Sequence, residues 1–447
     1  MNDDVVNGDV VNGDVVNDDV LNDDVVSSNV VDADRSAGSS RVGEDLEVTV
    51  TSVAHGGHCV ARHDALVVFV RHALPGERVR ARVTSGKSGD RYVFADAVEI
   101  LHASPHRVEA PCRYAGPGGC GGCDFQHVEM PQQRELKRQV LVDQLTRLGG
   151  LRPELAEGLT VQPLPGHEDG LGWRSRMEFA VDRAGRTGLR PHRSRAVLPL
   201  EDCLIAVPEI RESGVLARRF PGARSVHAVA TSTGERAVVA APQGLRRTPT
   251  IHEVVRIGGR DVTFRLNALG FWQVHPAAVE SFTAAVLAGL DPQPGEHCLD
   301  LYAGVGVFAR ALADAVGPTG HVLAVESDAR ACRAATEHFA DDPHVEVVQA
   351  RVDRALDELG RPGHQAGTVD LVVLDPPRAG AGRDVVQRLA VLRPRAIAYV
   401  ACDPATLGRD LALAEAHGYE VAQLSAYDAF PMTHHMETIA ILRATRD

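Results

Sequence analysis

Cys402 follows the apolar run Tyr399-Val400-Ala401 and precedes Asp403-Pro404, after which a helix-forming segment runs from Ala405 to Ala416. Asp is a good N-cap and Pro a good first helical residue, so this thiol stands where a strand ends and a helix begins. The positive field of a helix N-terminus lowers a thiol pKa, which makes Cys402 a candidate nucleophile rather than only a buried structural cysteine. A nucleophile needs a base. Glu437 opens the last strand-like run, after Phe430-Pro431-Met432-Thr433-His434-His435-Met436. If that strand runs antiparallel to its neighbours, its start returns to the rim that carries Cys402, and a thiol faces a carboxylate.

Two further motifs fall on the same rim. Leu299-Asp300-Leu301-Tyr302-Ala303-Gly304-Val305-Gly306 reads as a strand entering a Gly-x-Gly turn, with a helix behind it. Such glycines let a cofactor approach the backbone. The next strand ends in Glu326, placed to accept from ribose hydroxyls. A third glycine, expected for a dinucleotide, is replaced by Phe308-Ala309, and the short form points to S-adenosylmethionine. Asp375-Pro376-Pro377-Arg378 follows another strand. Arg378 stands where amino-methylating enzymes carry a base-stacking aromatic, which disfavours amino-group methylation.

These residues need a scaffold. From about 295 the pattern alternates strands, at 297–302, 321–326, 345–349, 370–374, 396–401, 420–425 and 437–443, with helices. This predicts a doubly wound α/β sheet, seven-stranded and Rossmann-like, with ligands at the carboxyl ends of its strands. Residues 41–103 alternate as five short strands (Leu46-Val48-Val50, Cys59-Ala61, Leu66 to Val70, Val79-Ala81-Val83, Val93-Ala95-Ala97), which predicts a small OB-like β-barrel. A helix is expected from about Pro131 to Leu148, closed by Gly149-Gly150. The division expected is 1–40 tail, 41–103 barrel, 104–260 central α+β domain and 261–447 catalytic domain.

The formal charge of −13 has a local source: residues 1–40 repeat with a period of five and hold ten Asp against one Arg. That tail is expected to be disordered. Residues 171–200 hold seven Arg against Glu178 and Asp182, so a basic surface suited to RNA is available despite the overall sign. No apolar run is long enough to span a membrane and no basic-then-apolar leader is present, so the expected location is the cytoplasm.

Of the eight cysteines, Cys112, Cys120 and Cys123 lie in a glycine-rich knot whose backbone can wrap a compact inorganic centre. In a cytosolic chain they suit metal ligation or packing better than disulfides.

A thiol nucleophile, a carboxylate base and a methyl-donor site together fit one reaction. Carbon 5 of uracil becomes nucleophilic once a thiolate has added at carbon 6. It can then take a methyl group, after which a base removes the carbon-5 proton. The chain resembles the bacterial RNA uracil-5 methyltransferases over about residues 42–445. The resemblance is carried by Asp375-Pro-Pro-Arg-Ala-Gly, Cys402-Asp-Pro-Ala-Thr-Leu-Gly-Arg-Asp, Phe430-Pro-Met-Thr-His-His-Met-Glu437-Thr, Trp173-Arg-Ser-Arg-Met-Glu-Phe and Phe271-Trp-Gln273-Val-His-Pro. It implies Cys402 as nucleophile and Glu437 as base, with Gln273, Tyr302, Glu326 and Asp375 lining the cofactor and uracil pocket. It also implies a TRAM barrel and a [4Fe–4S] cluster on Cys112, Cys120, Cys123 and Cys203. Seven residues separate Cys112 from Cys120 where the family usually has five, and His275, Val307 and Arg351 replace common Asn residues. Zinc is the competing occupant, but paired Cys-x-x-Cys halves would favour it, and here the fourth ligand is the distant Cys203. The implied substrate is RNA, with 23S rRNA favoured and tRNA the alternative. A non-catalytic RNA-binding protein with an inert methyltransferase fold is the reading from another class, and the presence of both Cys402 and Glu437 speaks against it.

Overall fold

Alternation decides the first domain. Along β1 (Asp45–Val53), Leu46, Val48 and Val50 are buried while the residues between them face solvent. The same alternation continues through β2 (Cys59–His63), β3 (Leu66–Arg71), β4 (Arg78–Ser85) and β5 (Tyr92–His102). These five close into a barrel in the order β1-β2-β3-β5-β4, which leaves no open edge. The computed structural model describes residues 38–445 except 243–244, 246–247 and 362–367. The acidic repeat therefore lies outside the described residues.

The cysteine-bearing loop leads into α1 (Met130–Gly149), which carries Pro131 in its first turn and is capped by left-handed Gly150. A short helix, α2 (Pro153–Glu157), and a short strand, β6 (Val161–Pro163), follow. The central region is a five-stranded sheet of β7 (Arg176–Val181), β8 (Thr187–Leu189), β9 (Leu198–Pro199), β10 (Ser225–Ala230) and β11 (Arg236–Ala241), with the short helix α3 (Pro208–Arg211). A hairpin of β12 (Thr250–Ile257) and β13 (Arg260–Asn267) comes next.

The last third winds α4 (Ala278–Leu290), β14 (His297–Leu301), α5 (Val307–Val316), β15 (His321–Glu326), α6 (Ala329–His338), β16 (Val345–Gln349) and α7 (Val352–Leu359). It continues with β17 (Leu371–Leu374), α8 (Gly382–Leu392), β18 (Ala396–Ala401), α9 (Pro404–Ala416), β19 (Tyr419–Asp428) and β20 (Glu437–Ala444). The expected seven strands are present, but the sheet has eight, in the order β16-β15-β14-β17-β18-β20-β19-β6. The addition is β6, which pairs parallel with β19. It is too short to show a period, and its pairing depends on the exposed edge of β19 rather than on its own sequence.

Both faces of this sheet are covered. Leu299, Val372, Leu374, Ile397 and Tyr399 belong to one core, and Cys298, Leu371, Val373, Ala398 and Val400 to the other. This explains the unbroken apolar strands, since a strand buried on both sides needs no polar alternation. β20 runs antiparallel to β18, so its first residue lies at the carboxyl rim.

Candidate active site

Cys402 leaves β18 at that rim and is followed by Asp403, the N-cap of α9, whose carboxylate accepts from the Thr406 N–H at 2.8 Å. Ala401 pairs with Thr438 across β18 and β20, which sets the next residues outward, Cys402 and Glu437, opposite one another. Glu437 is buried at 3% exposure. Arg378, from the loop after β17, acts electrostatically on both Cys402 and Glu437.

The thiol does not have the lowered pKa expected of a helix N-terminus. Burial pushes the Cys402 thiol up, the Glu437 carboxylate beside it pushes it further, and the Arg378 guanidinium opposes both without winning. Burial likewise raises Glu437 well above the ordinary carboxyl range, reinforced by Asp375 and opposed by Arg378. Asp375 itself is pushed up to about 7 by burial. At rest the pocket therefore favours protons on its acids, and Arg378 is its local source of positive charge.

Acids continue along the rim. Asp300 is fully buried, and its Oδ2 accepts from the Ala309 N–H at 2.7 Å while Oδ1 has no partner. Burial pushes it up to about 8, with smaller effects from Asp375 and Glu326. Glu326 closes β15, and its carboxylate accepts from the Gly304 N–H at 2.8 Å and the Asp328 N–H at 2.6 Å. Gly304 has φ 57° and nothing within 4 Å of where a Cβ would project, so the turn is open above it. Gly306 has φ 89°, and a Cβ there would come within 2.6 Å of the Phe339 ring. An acid at a strand end beside an open glycine turn fits a nucleoside cofactor. Tyr302 is half-buried at the end of β14 with φ 63°. Gln273 lies on the strap leading into α4, and no hydrogen bond or ion pair among the described residues joins its side chain to the rim.

The segment before Glu437 is clamped from outside the sheet. The Asp124 and Phe125 N–H groups donate to the Met432 carbonyl at 3.0 and 2.9 Å. Gln133 of α1 accepts from the Met432 N–H at 2.9 Å. Lys137, also on α1, donates to the buried Asp428 carboxylate at 2.5 Å and to the Phe430 carbonyl at 3.1 Å. The sequence motifs contained Arg378 and Asp300 but signalled neither role. Asp124, Gln133 and Lys137 carry no local signal, because their partners lie about three hundred residues away.

Cys112, Cys120, Cys123 and Cys203 line one cavity with Tyr114 and Gln126. None of the four is in a disulfide, and among the described residues no group of three or more His, Cys, Asp or Glu converges tightly enough to hold a metal ion. The four expected ligands thus share a cavity without being drawn into a metal-binding group. Burial raises Cys203 to about 11.

Residues 226–445 match the family model described as tRNA (Uracil-5-)-methyltransferase, and residues 39–98 match the TRAM domain. An uncharacterized RNA methyltransferase of Streptomyces avermitilis is 48% identical, with 90% of this chain and 98% of that protein covered. One from Corynebacterium efficiens is 37% identical, covering 89% of this chain and 94% of that protein. The crystal structure of Pyrococcus abyssi tRNA (uracil-54, C5)-methyltransferase in complex with S-adenosyl-L-homocysteine shares the fold at a TM-score of 0.63 and 20% identity, covering 89% of this chain and 100% of that one. A TRAM barrel, a methyltransferase sheet and relatives matched along nearly their whole length make this chain a member of the S-adenosylmethionine-dependent RNA (uracil-5-)-methyltransferase family.

Proposed function

We propose that the enzyme methylates a uridine of 23S rRNA through a covalent adduct between Cys402 and carbon 6 of uracil. The observation that carries this is the opposition of Cys402 and Glu437 across β18 and β20, with Arg378 acting on both. Cys402 gives its proton up to solvent, with Arg378 favouring the thiolate, and its sulfur adds to carbon 6 so that the electron pair moves to carbon 5. Glu326 would hold the ribose of S-adenosylmethionine, which would supply the methyl group to carbon 5 and leave as S-adenosylhomocysteine. Glu437 then takes the carbon-5 proton, the 5,6 double bond re-forms and the carbon–sulfur bond breaks. Gln273, Tyr302 and Asp375 line the cofactor and uracil pocket. Uracil carbons 5 and 6 are stacked inside structured RNA, so the target is flipped out.

The pairing of a TRAM barrel with a four-cysteine cavity favours 23S rRNA, whereas the matching family model is named for tRNA. Mapping 5-methyluridine in both RNAs from a deletion strain separates them. Loss from 23S rRNA is expected, and loss confined to tRNA moves the assignment there. No helix among the described residues is long and apolar enough to cross a membrane, and the enzyme is assigned to the cytoplasm with its substrate.

Cys112, Cys120, Cys123 and Cys203 are proposed to hold a [4Fe–4S] cluster. Supporting this, the donor set is all sulfur and the four thiols line a shared cavity. The wrapping is tight: a Cβ on Gly121 would lie 2.7 Å from the His192 nitrogen. The cluster would brace the loop, since methyl transfer needs no electron. Anaerobic purification should give iron and acid-labile sulfide together; stoichiometric zinc without sulfide overturns the assignment.

A further inference from the structure

The β1–β2 turn of the barrel, Ala54 to His58, lies between the two chain segments that carry the reactive pair. The Ala54 N–H closes it by donating to the His58 carbonyl at 2.7 Å. On one side the His55 Nε2–H donates to Asp403 Oδ2 at 2.9 Å. Asp403 Oδ1 meanwhile accepts from the Thr406 N–H at 2.8 Å, so one carboxylate joins the barrel to the start of α9, directly after Cys402. On the other side Gly57, with φ 78°, packs so closely that a Cβ would lie 2.9 Å from the Asp124 carboxyl carbon and 3.1 Å from His434 Nδ1. His434 stands three residues before Glu437. Burial works to raise the Asp403 carboxyl, but the hydrogen bonds from His55 and Thr406 outweigh it and hold the group below its ordinary value.

We propose that His55 is a positioning residue for Cys402, and that the TRAM barrel thereby belongs to the catalytic apparatus as well as to the RNA-binding surface. The hydrogen bond from His55 fixes the Asp403 carboxylate, which fixes the first turn of α9 and with it the direction of the Cys402 side chain. A thiol that must reach carbon 6 from above the ring plane is sensitive to such aim, because a misplacement of about 1 Å can cost on the order of a hundredfold in rate. The inference rests on Cys402 being the nucleophile.

The test compares wild type, His55→Ala and His55→Gln on one structured RNA carrying 5-fluorouridine at the target, following covalent adduct formation under single-turnover conditions alongside RNA affinity. His55→Ala should slow adduct formation tenfold or more, with RNA affinity within twofold of wild type. His55→Gln, which returns an N–H near the position of Nε2, should recover most of the rate. Equal adduct rates in wild type and His55→Ala overturn the inference, as does a rate loss matched by an equal loss of RNA affinity. Failure of the Gln variant to recover any rate while its thermal midpoint matches wild type also overturns it. If wild type forms no adduct, the nucleophile assignment itself fails, which is a distinguishable result.

Discussion

Asp124 holds His434 twice: Oδ2 accepts from the His434 backbone N–H at 3.2 Å and from Nδ1 at 2.6 Å. Its Oδ1 accepts from Arg71 of β3 at 3.0 Å. One buried carboxylate, next to Cys123 in the chain, thus ties the barrel and the cysteine loop to the segment ahead of Glu437.

Breaking this node leaves Arg71 buried beside an uncharged partner. Asp124→Asn should therefore cost about 3–5 kcal/mol of stability, the usual loss when one member of a buried ion pair is removed. Urea unfolding checks this. The double variant Arg71→Met/Asp124→Asn should lose less than the sum of the two single variants, because the residues share one interaction. A loss below ~1 kcal/mol for Asp124→Asn would contradict the assigned role.

The two turn glycines should respond differently. Gly306→Ala drives a Cβ to 2.6 Å from the Phe339 ring, where only that ring can give way. Overpacking of this kind costs about 1–3 kcal/mol. Gly304→Ala meets no neighbour within 4 Å, so its cost is the left-handed backbone alone, about 1–2 kcal/mol. Thermal melts should rank Gly306→Ala below Gly304→Ala. Cofactor titration should show Gly304→Ala losing affinity despite its milder effect on stability, because its Cβ enters the space above the turn.

The rate of adduct formation should rise with pH through the neutral range. Burial and the Glu437 charge raise the Cys402 thiol, burial raises Glu437, and burial pushes Asp375 up to about 7. Each shift favours the protonated form, so the deprotonated nucleophile and base become populated only as pH climbs. Single-turnover rates measured from pH 6 to 9 check this, and a flat profile would argue for a thiolate already present at rest.

Lys137→Met should be among the costlier single changes on α1. The ammonium is fully buried against Asp428, and its loss strands a carboxylate, which costs about 3–5 kcal/mol. Glu47→Ala, which breaks the exposed pair with Arg78, should cost less than about 1 kcal/mol. Chemical denaturation of both variants makes the comparison.

What could be read from the sequence follows the range of its signals. Strands buried on both faces, such as Ala396–Ala401, and barrel strands buried on one, such as Asp45–Val53, announce themselves by composition and period. The helix at Met130–Gly149 was bounded by its own Pro and Gly. The opposition of Cys402 and Glu437 followed from one topological condition, an antiparallel last strand. The bond from His55 to Asp403 and that from Asp124 to His434 had no such handle, because residues 348 and 310 positions apart leave no local pattern. The thiol expectation failed for a related reason. A helix N-terminus is visible in sequence, but burial and a neighbouring carboxylate are properties of the packed fold.

Cys402 is proposed to attack uracil and Glu437 to remove the carbon-5 proton. RNA in which the target uracil carries fluorine at carbon 5 offers no proton for Glu437 to take, so the reaction should stop at the bonded stage. With S-adenosylmethionine present, wild type should give a denaturation-resistant protein–RNA complex carrying the transferred methyl group, and Cys402→Ala should give none. A complex that still forms with Cys402→Ala, or methylated 5-fluorouridine RNA released without any covalent intermediate, would contradict these roles for Cys402 and Glu437.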